Sequence, residues 1–407
     1  MKNIYLDYAA TTPLDPRVLD AMVPYLKEDF ANPSSLHSPG QRARGAVDTA
    51  REKIAELLGA HANEIIFTAG GTESNNLFIR GVAEFCLGEK KLSSARHLFT
   101  TTIEHDSVLA PIKRLQEQGF EVTYLEVDSD GLINPEDLKK ALRPETILVS
   151  IMHANNEIGT IQPIEECGKI IAEFKSNQKE TLAFGMPYFH TDACQAAPYI
   201  KLDVNELGVD ALTINAGKIH GPKGVGAVYI RGGAHGKIKL MPQILGGGQE
   251  YRMRAGTENV AGIVGFAKAF ESVAESRDSE SVRQTKLRDA LIDGILKNIP
   301  TARLNGSRNK RLPNNVNVSF KGLHGEAILI RLDMIGVSVS SGSACSSGSL
   351  EPSHVIQALG GEAADELWSR SATRFSIGSA TSKDEIEFVI RELTKIIAEL
   401  NDQSPLN

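Results

Sequence analysis

Through the first 260 residues, short β-branched or apolar runs alternate with segments whose apolar positions recur at helical spacing. The runs predict strands at Glu64 to Thr68, Val122 to Val127, Ile147 to Met152, Tyr188 to Asp192, Ala211 to Asn215 and Gly226 to Ile230. Val47, Ala50, Ile54 and Leu57 share one helical face, with Gly59 as a natural stop. A further helix is predicted with Asn134 as its cap, Pro135 at its first position and Asp137 in its first turn, running through Leu138 and Leu142. This rhythm predicts an α/β layer on a mainly parallel sheet. Past residue 260 the pattern changes to one long helical stretch, Val260 to about Leu296, then strand-like Asn315 to Phe320 and Val337 to Ser340. A closing helix has Ser382 and Glu385 as a capping box and an apolar face from Ile386 and Val389 through Leu393, Ile396, Ile397 and Leu400. These elements predict a second, smaller α+β domain. No internal repeat occurs, and the one biased segment is Ser338 to Ser349, rich in Ser and Gly around Cys345, a composition expected to be mobile.

Composition narrows the class without naming a chemistry. The 407 residues correspond to two or three domains. Lys and Arg number 44 against 51 Asp and Glu, a formal charge of -7, with no basic run, which argues against direct nucleic-acid binding. The four cysteines, Cys86, Cys167, Cys194 and Cys345, lack metal-ligand or redox spacing and are expected to be free thiols in a reducing cytoplasm. No signal-peptide core opens the chain and no stretch reaches the ~18 apolar residues of a membrane span. The expectation is a cytoplasmic protein that neither enters a membrane nor holds a metal.

The most informative segment is Asn215-Ala216-Gly217-Lys218-Ile219-His220-Gly221-Pro222-Lys223-Gly224. Lys218 follows a buried-looking strand and is enclosed by a tightly turned backbone. Burial disfavours a lysine's charged form, which readies the amine for Schiff-base chemistry; a Gly-rich turn with two solvated lysines is the plainer alternative. Asp192 ends an apolar strand, where open α/β sheets bind ligands, and an acid there can pair with a pyridine nitrogen or simply cap a helix. Thr68-Ala69-Gly70-Gly71-Thr72-Glu73-Ser74-Asn75-Asn76 reads as strand, turn and helix N-terminus, a weak anion cradle without the P-loop lysine. Two more strand ends are polar, Thr101-Thr102-Ile103-Glu104-His105-Asp106 and Met152-His153-Ala154-Asn155-Asn156-Glu157. Cys345 lies among small polar residues that favour access, and Arg374 between apolar neighbours can clamp a carboxylate or join an ion pair.

Together these segments closely resemble the NifS/IscS-type cysteine desulfurases, in the class V aminotransferase branch of fold-type I pyridoxal-phosphate enzymes. The resemblance runs from Tyr5-Leu6-Asp7-Tyr8-Ala9-Ala10-Thr11-Thr12-Pro13 to the closing helix and includes Asn32-Pro33-Ser34-Ser35-Leu36-His37, Asn155-Asn156-Glu157-Ile158-Gly159, Gly246-Gly247-Gly248-Gln249-Glu250 and Arg254-Ala255-Gly256-Thr257. It implies a large cofactor domain over residues 13–260 with a mainly parallel seven-stranded sheet. Residues 1–12 and 261–407 would form the small α+β domain, carrying a mobile cysteine loop at about 338–350. It further implies pyridoxal 5'-phosphate bonded to Lys218, with Asp192 on the pyridine nitrogen, Gln195 on the ring hydroxyl and His105 stacked on the ring. Gly71, Thr72 and Asn215 would hold the phosphate, joined by Thr257 from the other subunit of a homodimer. Asn155 and Arg374 would bind the carboxylate of L-cysteine, and Cys345 would take its sulfur and pass it to an acceptor such as an iron-sulfur scaffold or a tRNA-thiolation relay protein. The alternatives are a selenocysteine lyase or other class V pyridoxal-phosphate enzyme and, from another class, a cofactor-poor scaffold or regulatory paralogue in sulfur trafficking. The chain departs from the pattern where relatives place a serine and a histidine on the phosphate: here these are Asn215 and Gly217. His220 replaces a usual tyrosine, and residues 176–187 look longer than in relatives.

Overall fold

The computed structural model describes residues 3–89, 96–178, 182–341 and 352–402. A two-residue strand, β1 (Ile4–Tyr5), precedes helices α1 (Pro16–Lys27) and α2 (Ser38–Leu58). Strand and helix then alternate through β2 (Ile65–Thr68), α3 (Gly71–Gly88), β3 (His97–Thr101), α4 (Asp106–Glu117), β4 (Glu121–Leu125), α5 (Pro135–Ala141), β5 (Thr146–Ser150), α6 (Ile164–Asn177) and β6 (Tyr188–Asp192). Strands β7 (Ala211–Asn215) and β8 (Gly226–Ile230) complete a seven-stranded sheet of order β2-β8-β7-β6-β5-β3-β4. The ladders from β7 to β4 are all parallel, and β8 alone runs antiparallel to both its neighbours, as the expectation of a mainly parallel sheet requires.

Most of these strands are buried along their whole length because helices cover both faces, whereas β4 at the sheet edge is largely half-exposed. Successive residues point to opposite sides: Phe67, Phe99, Val149 and Phe189 join one core, while Ile66, Leu98, Leu148 and Tyr188 join the other. Two helix ends form as their sequences dictate. Gly59 closes α2 in the left-handed conformation (φ 66°), and the Asn134 side chain accepts from Glu136 N at 3.2 Å to cap α5.

Helix α7 (Val260–Asn298) serves two cores. Its Phe266 and Phe270 pack with the large sheet, whereas Leu291, Ile292 and Ile295 pack in a separate cluster. That second core is built on β9 (Ala302–Leu304), β10 (Asn315–Phe320), α8 (Gly325–Met334), β11 (Val337–Ser338) and β12 (Ser340–Ser341). Short turns α9 (His354–Ala358), α10 (Gly361–Ala364) and α11 (Glu366–Ser369) lead to β13 (Thr373–Ser376) and α12 (Lys383–Asp402). The four-stranded sheet has order β12-β13-β10-β9, and β1 pairs in parallel with β11. Ile4 and Leu6 therefore lie in the core made by the C-terminal part of the chain.

Several boundaries differ from the sequence expectation. Strand β2 begins one residue late because Glu64 closes a helical turn, its carboxylate accepting from His61 N at 2.8 Å. The predicted run Val337 to Ser340 divides into two strands that pair in different sheets. Strand β3 is apolar only at Leu98 and Phe99, and His97 fits because Thr146 and Thr123 on the flanking strands satisfy both ring nitrogens. Among the described residues, no helix is long and apolar enough to cross a membrane and no cluster of His, Cys, Asp and Glu could hold a metal.

Candidate active site

The carboxyl ends of β3, β5, β6 and β7 meet the N-terminus of α3, and the residue types singled out in the sequence converge there. After β7 the chain makes a 3-10 turn, capped by Asn215, whose Oδ1 accepts from Gly217 N at 3.1 Å. The turn delivers Lys218, whose Nζ donates to the carbonyls of Ala9 (2.9 Å) and Ala10 (2.6 Å). Gln195 Nε2 donates to the same Ala9 carbonyl at 2.9 Å. The lysine and the glutamine, far apart in sequence, thus share one acceptor supplied by the N-terminal segment.

Asp192, at the end of β6, is buried, and each of its oxygens has a donor. Oδ1 accepts from Cys194 N at 2.9 Å and Oδ2 from Asn75 Nδ2 at 2.7 Å. Asn75 also donates to Ser107 Oγ (2.8 Å), which lies 2.8 Å from His105 Nδ1. Ser107 N donates to that same Nδ1, so the proton of a neutral His105 ring sits on Nε2. One chain of contacts therefore joins Asp192 to His105, the groups expected at the nitrogen edge and on the face of a planar ring. Asn75 and Ser107 were not singled out in the sequence. The available signal for Asn75 was its place one turn below Gly71 on the same face of a helix.

Directly behind His105 lies Glu104, fully buried. Its Oε1 accepts from Thr101 Oγ1 and Met152 N, each at 2.8 Å, and its Oε2 has no partner among the described residues. Burial pushes this carboxyl up to about 8, so it holds a proton at neutral pH. Glu157 is also pushed up by burial, to about 7, although the Ser353 hydroxyl donates to it at 2.5 Å.

A cavity of about 600 Å³ opens in front of Lys218, bordered by Gly71, Thr72, Asn215, Gly217 and Lys223. Helix α3 begins here with Gly70 at φ 149°, and its unpaired N–H groups and dipole favour an anion. A Cβ on Gly71 would stand 2.8 Å from Cys194 Sγ, so only glycine lets the helix start flush against β6. A phosphate-bearing ring fits this donor set: an anion cradle at one end, an amine beside it, and a hydrogen-bonded carboxylate beyond.

The remaining predicted residues are placed as follows. Asn155 is buried and turned into its own loop, accepting from Glu157 N and Ile158 N while donating to Ile103 O. Arg374 is 2% exposed, donating to Asn156 O at 3.0 Å and to Asp7 Oδ1 at 2.8 Å; its Nε is buried without a partner among the described residues. Thr257 is exposed and does not border the 600 Å³ cavity. Cys345, with residues 342–351, lies outside the described residues, as do residues 179–181 of the longer segment. Cys86, Cys167 and Cys194 are buried. Burial pushes the first two thiols up to about 12 and the third well up, so none is a thiolate at neutral pH.

The fold is that of the fold-type I pyridoxal-phosphate enzymes. The chain belongs to the aminotransferase class-V family, which matches residues 4–389. It is 52% identical over 404 residues to cysteine desulfurase IscS of Dictyoglomus turgidum, covering 99% of this chain and 97% of that protein. A solved NifS-like protein superposes with a TM-score of 0.87 at 37% identity, over 98% of this chain and 100% of that one. A structure described as SspA in complex with cysteine superposes with a TM-score of 0.76 at 36% identity, over 92% and 99% of the two chains.

Proposed function

We propose that this protein is a pyridoxal-phosphate-dependent cysteine desulfurase that converts L-cysteine to L-alanine and retains the sulfur as a persulfide on Cys345. The observation that carries the reading is the convergence of Lys218 and Gln195 on the Ala9 carbonyl beside the Asp192–Asn75–Ser107–His105 chain, in a protein 52% identical to a cysteine desulfurase. Lys218 is the residue that bonds the cofactor. When bound, pyridoxal phosphate supplies an electron sink for the pair left at the substrate Cα.

The chain's own groups divide the work. Asp192, held by Asn75 and Cys194 N, would be the partner of the cofactor's ring nitrogen. Gly71, Thr72 and Asn215, which border the cavity, would hold the phosphate, joined by Thr257 of the partner subunit in a homodimer. His105, oriented by Ser107, would stack on the ring and could carry a proton through its imidazole. Arg374, fixed by Asp7 and Asn156 O, would bind the substrate carboxylate together with Asn155. Lys218 moves the Cα proton. The Cys345 thiolate then attacks the substrate sulfur, the Cβ–S bond breaks, Cβ takes a proton, and an S–S bond forms on the enzyme. Cysteine plus enzyme thiol thus equals alanine plus enzyme persulfide, with no outside oxidant.

We infer further that the protein works in the cytoplasm as a homodimer and hands sulfur to an acceptor protein of iron-sulfur cluster assembly or tRNA thiolation. The test is a visible spectrum before and after L-cysteine, with alanine and sulfide assayed in the wild type and in Cys345→Ala. Equal alanine and sulfur from the wild type, and a spectral change without sulfur transfer in the variant, are expected. Wild-type alanine release by Cys345→Ala would overturn the nucleophile assignment. A protein that gains no visible band with added pyridoxal phosphate would overturn the enzyme reading.

A further inference from the structure

We infer that Lys223 is a cationic ligand of the cofactor phosphate in this chain, doing through an ammonium what the absent side chain of Gly217 cannot. The inference rests on the proposed cofactor and concerns where its charge is neutralised.

Three basic residues border the 600 Å³ cavity, Arg80, Lys218 and Lys223. Arg80 pairs with Glu84 at 3.3 Å, and the covalent bond proposed for Lys218 removes it as a phosphate partner. Lys223 has no carboxylate partner among the described residues. Its Nζ donates to the Thr12 carbonyl at 2.9 Å, leaving two further N–H donors on the same ammonium.

Position relates Lys223 to Gly217. A Cβ built on Gly217 meets no atom closer than Asn215 Oδ1 at 3.6 Å and Lys223 Cγ at 3.8 Å, so the space for a side chain is present and the lysine stem borders it. Asn215 is only a partial substitute for a second donor. Its Oδ1 is committed to Gly217 N, and its Nδ2 faces Gly71, 3.8 Å from where a Cβ there would stand. A phosphate seated at the α3 N-terminus carries close to two negative charges. The helix supplies about half a positive charge and Asn215 a neutral dipole, so without Lys223 the anion is under-compensated. Lys223 reaches into the same cavity from the loop that follows the lysine turn, and its flexible stem lets the ammonium share Thr12 O with a ligand oxygen.

The experiment measures binding rather than turnover. Apoenzyme is titrated with pyridoxal phosphate and, separately, with pyridoxal, which lacks the phosphate, following the visible band of the lysine-linked ring. Lys223→Ala is expected to weaken pyridoxal phosphate binding about 10- to 100-fold, the loss of one charge-assisted contact, and to leave pyridoxal binding unchanged. Lys223→Arg retains most of the affinity. Gly217→His added to Lys223→Ala restores it. Lys223→Gln keeps a donor for Thr12 and drops the charge, so it carries the same expectation if the alanine variant folds poorly. Unchanged phosphate-ligand affinity overturns the assignment. A parallel loss for both ligands also does, since it would make Lys223 only a brace for Thr12. A wild-type apoenzyme that takes up neither ligand overturns the functional reading itself.

Discussion

Replacing Glu104 by Gln tests whether a neutral carboxyl is built into the floor of the site. The side chain is fully buried, Oε1 is satisfied by Thr101 and Met152, and burial carries the group from its ordinary 4.5 to about 8. Between those values the folded protein keeps a proton that the unfolded chain releases, so stability falls as pH rises across the window. Gln has no such proton and preserves the Oε1 acceptor. At about 1.4 kcal/mol per pH unit, the stability of Glu104→Gln relative to wild type should grow by about 4 kcal/mol between pH 5 and pH 8, then level off. For a chain of this size that corresponds to roughly 4–8 °C in thermal midpoint, extending the usual size scaling. The assay is thermal unfolding of both proteins at matched scan rate, at half-unit steps from pH 4.5 to 9. His153 and His190, both driven down to about 4 by burial, tilt each curve the opposite way and cancel in the difference. A difference that stays flat with pH would refute the reasoning, because it would mean Glu104 is ionised in the fold. The proton also matters for chemistry, since an anionic Glu104 would place a second negative charge near Asp192.

Two other outcomes follow from the same geometry. Gly71→Ala should weaken cofactor binding at least tenfold by driving a methyl into Cys194 Sγ, and Cys194→Ala in the same protein should recover most of the loss; equilibrium titration with the cofactor checks both. Asn75→Ala removes a donor from buried Asp192 and the tie to Ser107, at a cost of about 1–3 kcal/mol, and should lower kcat more than it raises KM for cysteine in steady-state assays.

The large sheet was legible because its strands are buried on both faces, which writes an apolar run bounded by turns. Strands β6, β7 and β8 were predicted residue for residue for that reason. Strand β3 was not, because it carries His97 and two threonines whose polarity only the neighbouring strands make tolerable. At the site, turn chemistry and strand-end position marked Lys218 and Asp192 as candidates but left a solvated lysine and a helix cap as alternatives, and only the family resemblance gave them roles. Asn75, Ser107 and Glu104 were not marked, since their significance lies in contacts between β3, β5, β6 and α3 that no local pattern encodes. Asn155 drew notice as a polar strand end, and its amide joins its own loop to the segment after β3, contacts that no local pattern announces.

The N-terminal segment sets an order of assembly. Ile4 and Tyr5 pair with Val337 and Ser338, and a few residues on, Ala9 and Ala10 provide the carbonyls that receive Lys218. A ribosome has finished the whole cofactor sheet long before it reaches Val337, and contacts this distant along the chain form late. During synthesis the sheet can therefore stand folded before β1 has its partner. Thr12, three residues beyond Ala9, is held by Gly217 and Lys223 of the lysine turn, so the segment that lines Lys218 is fastened at one end by the early part of the chain and at the other by a strand that emerges late.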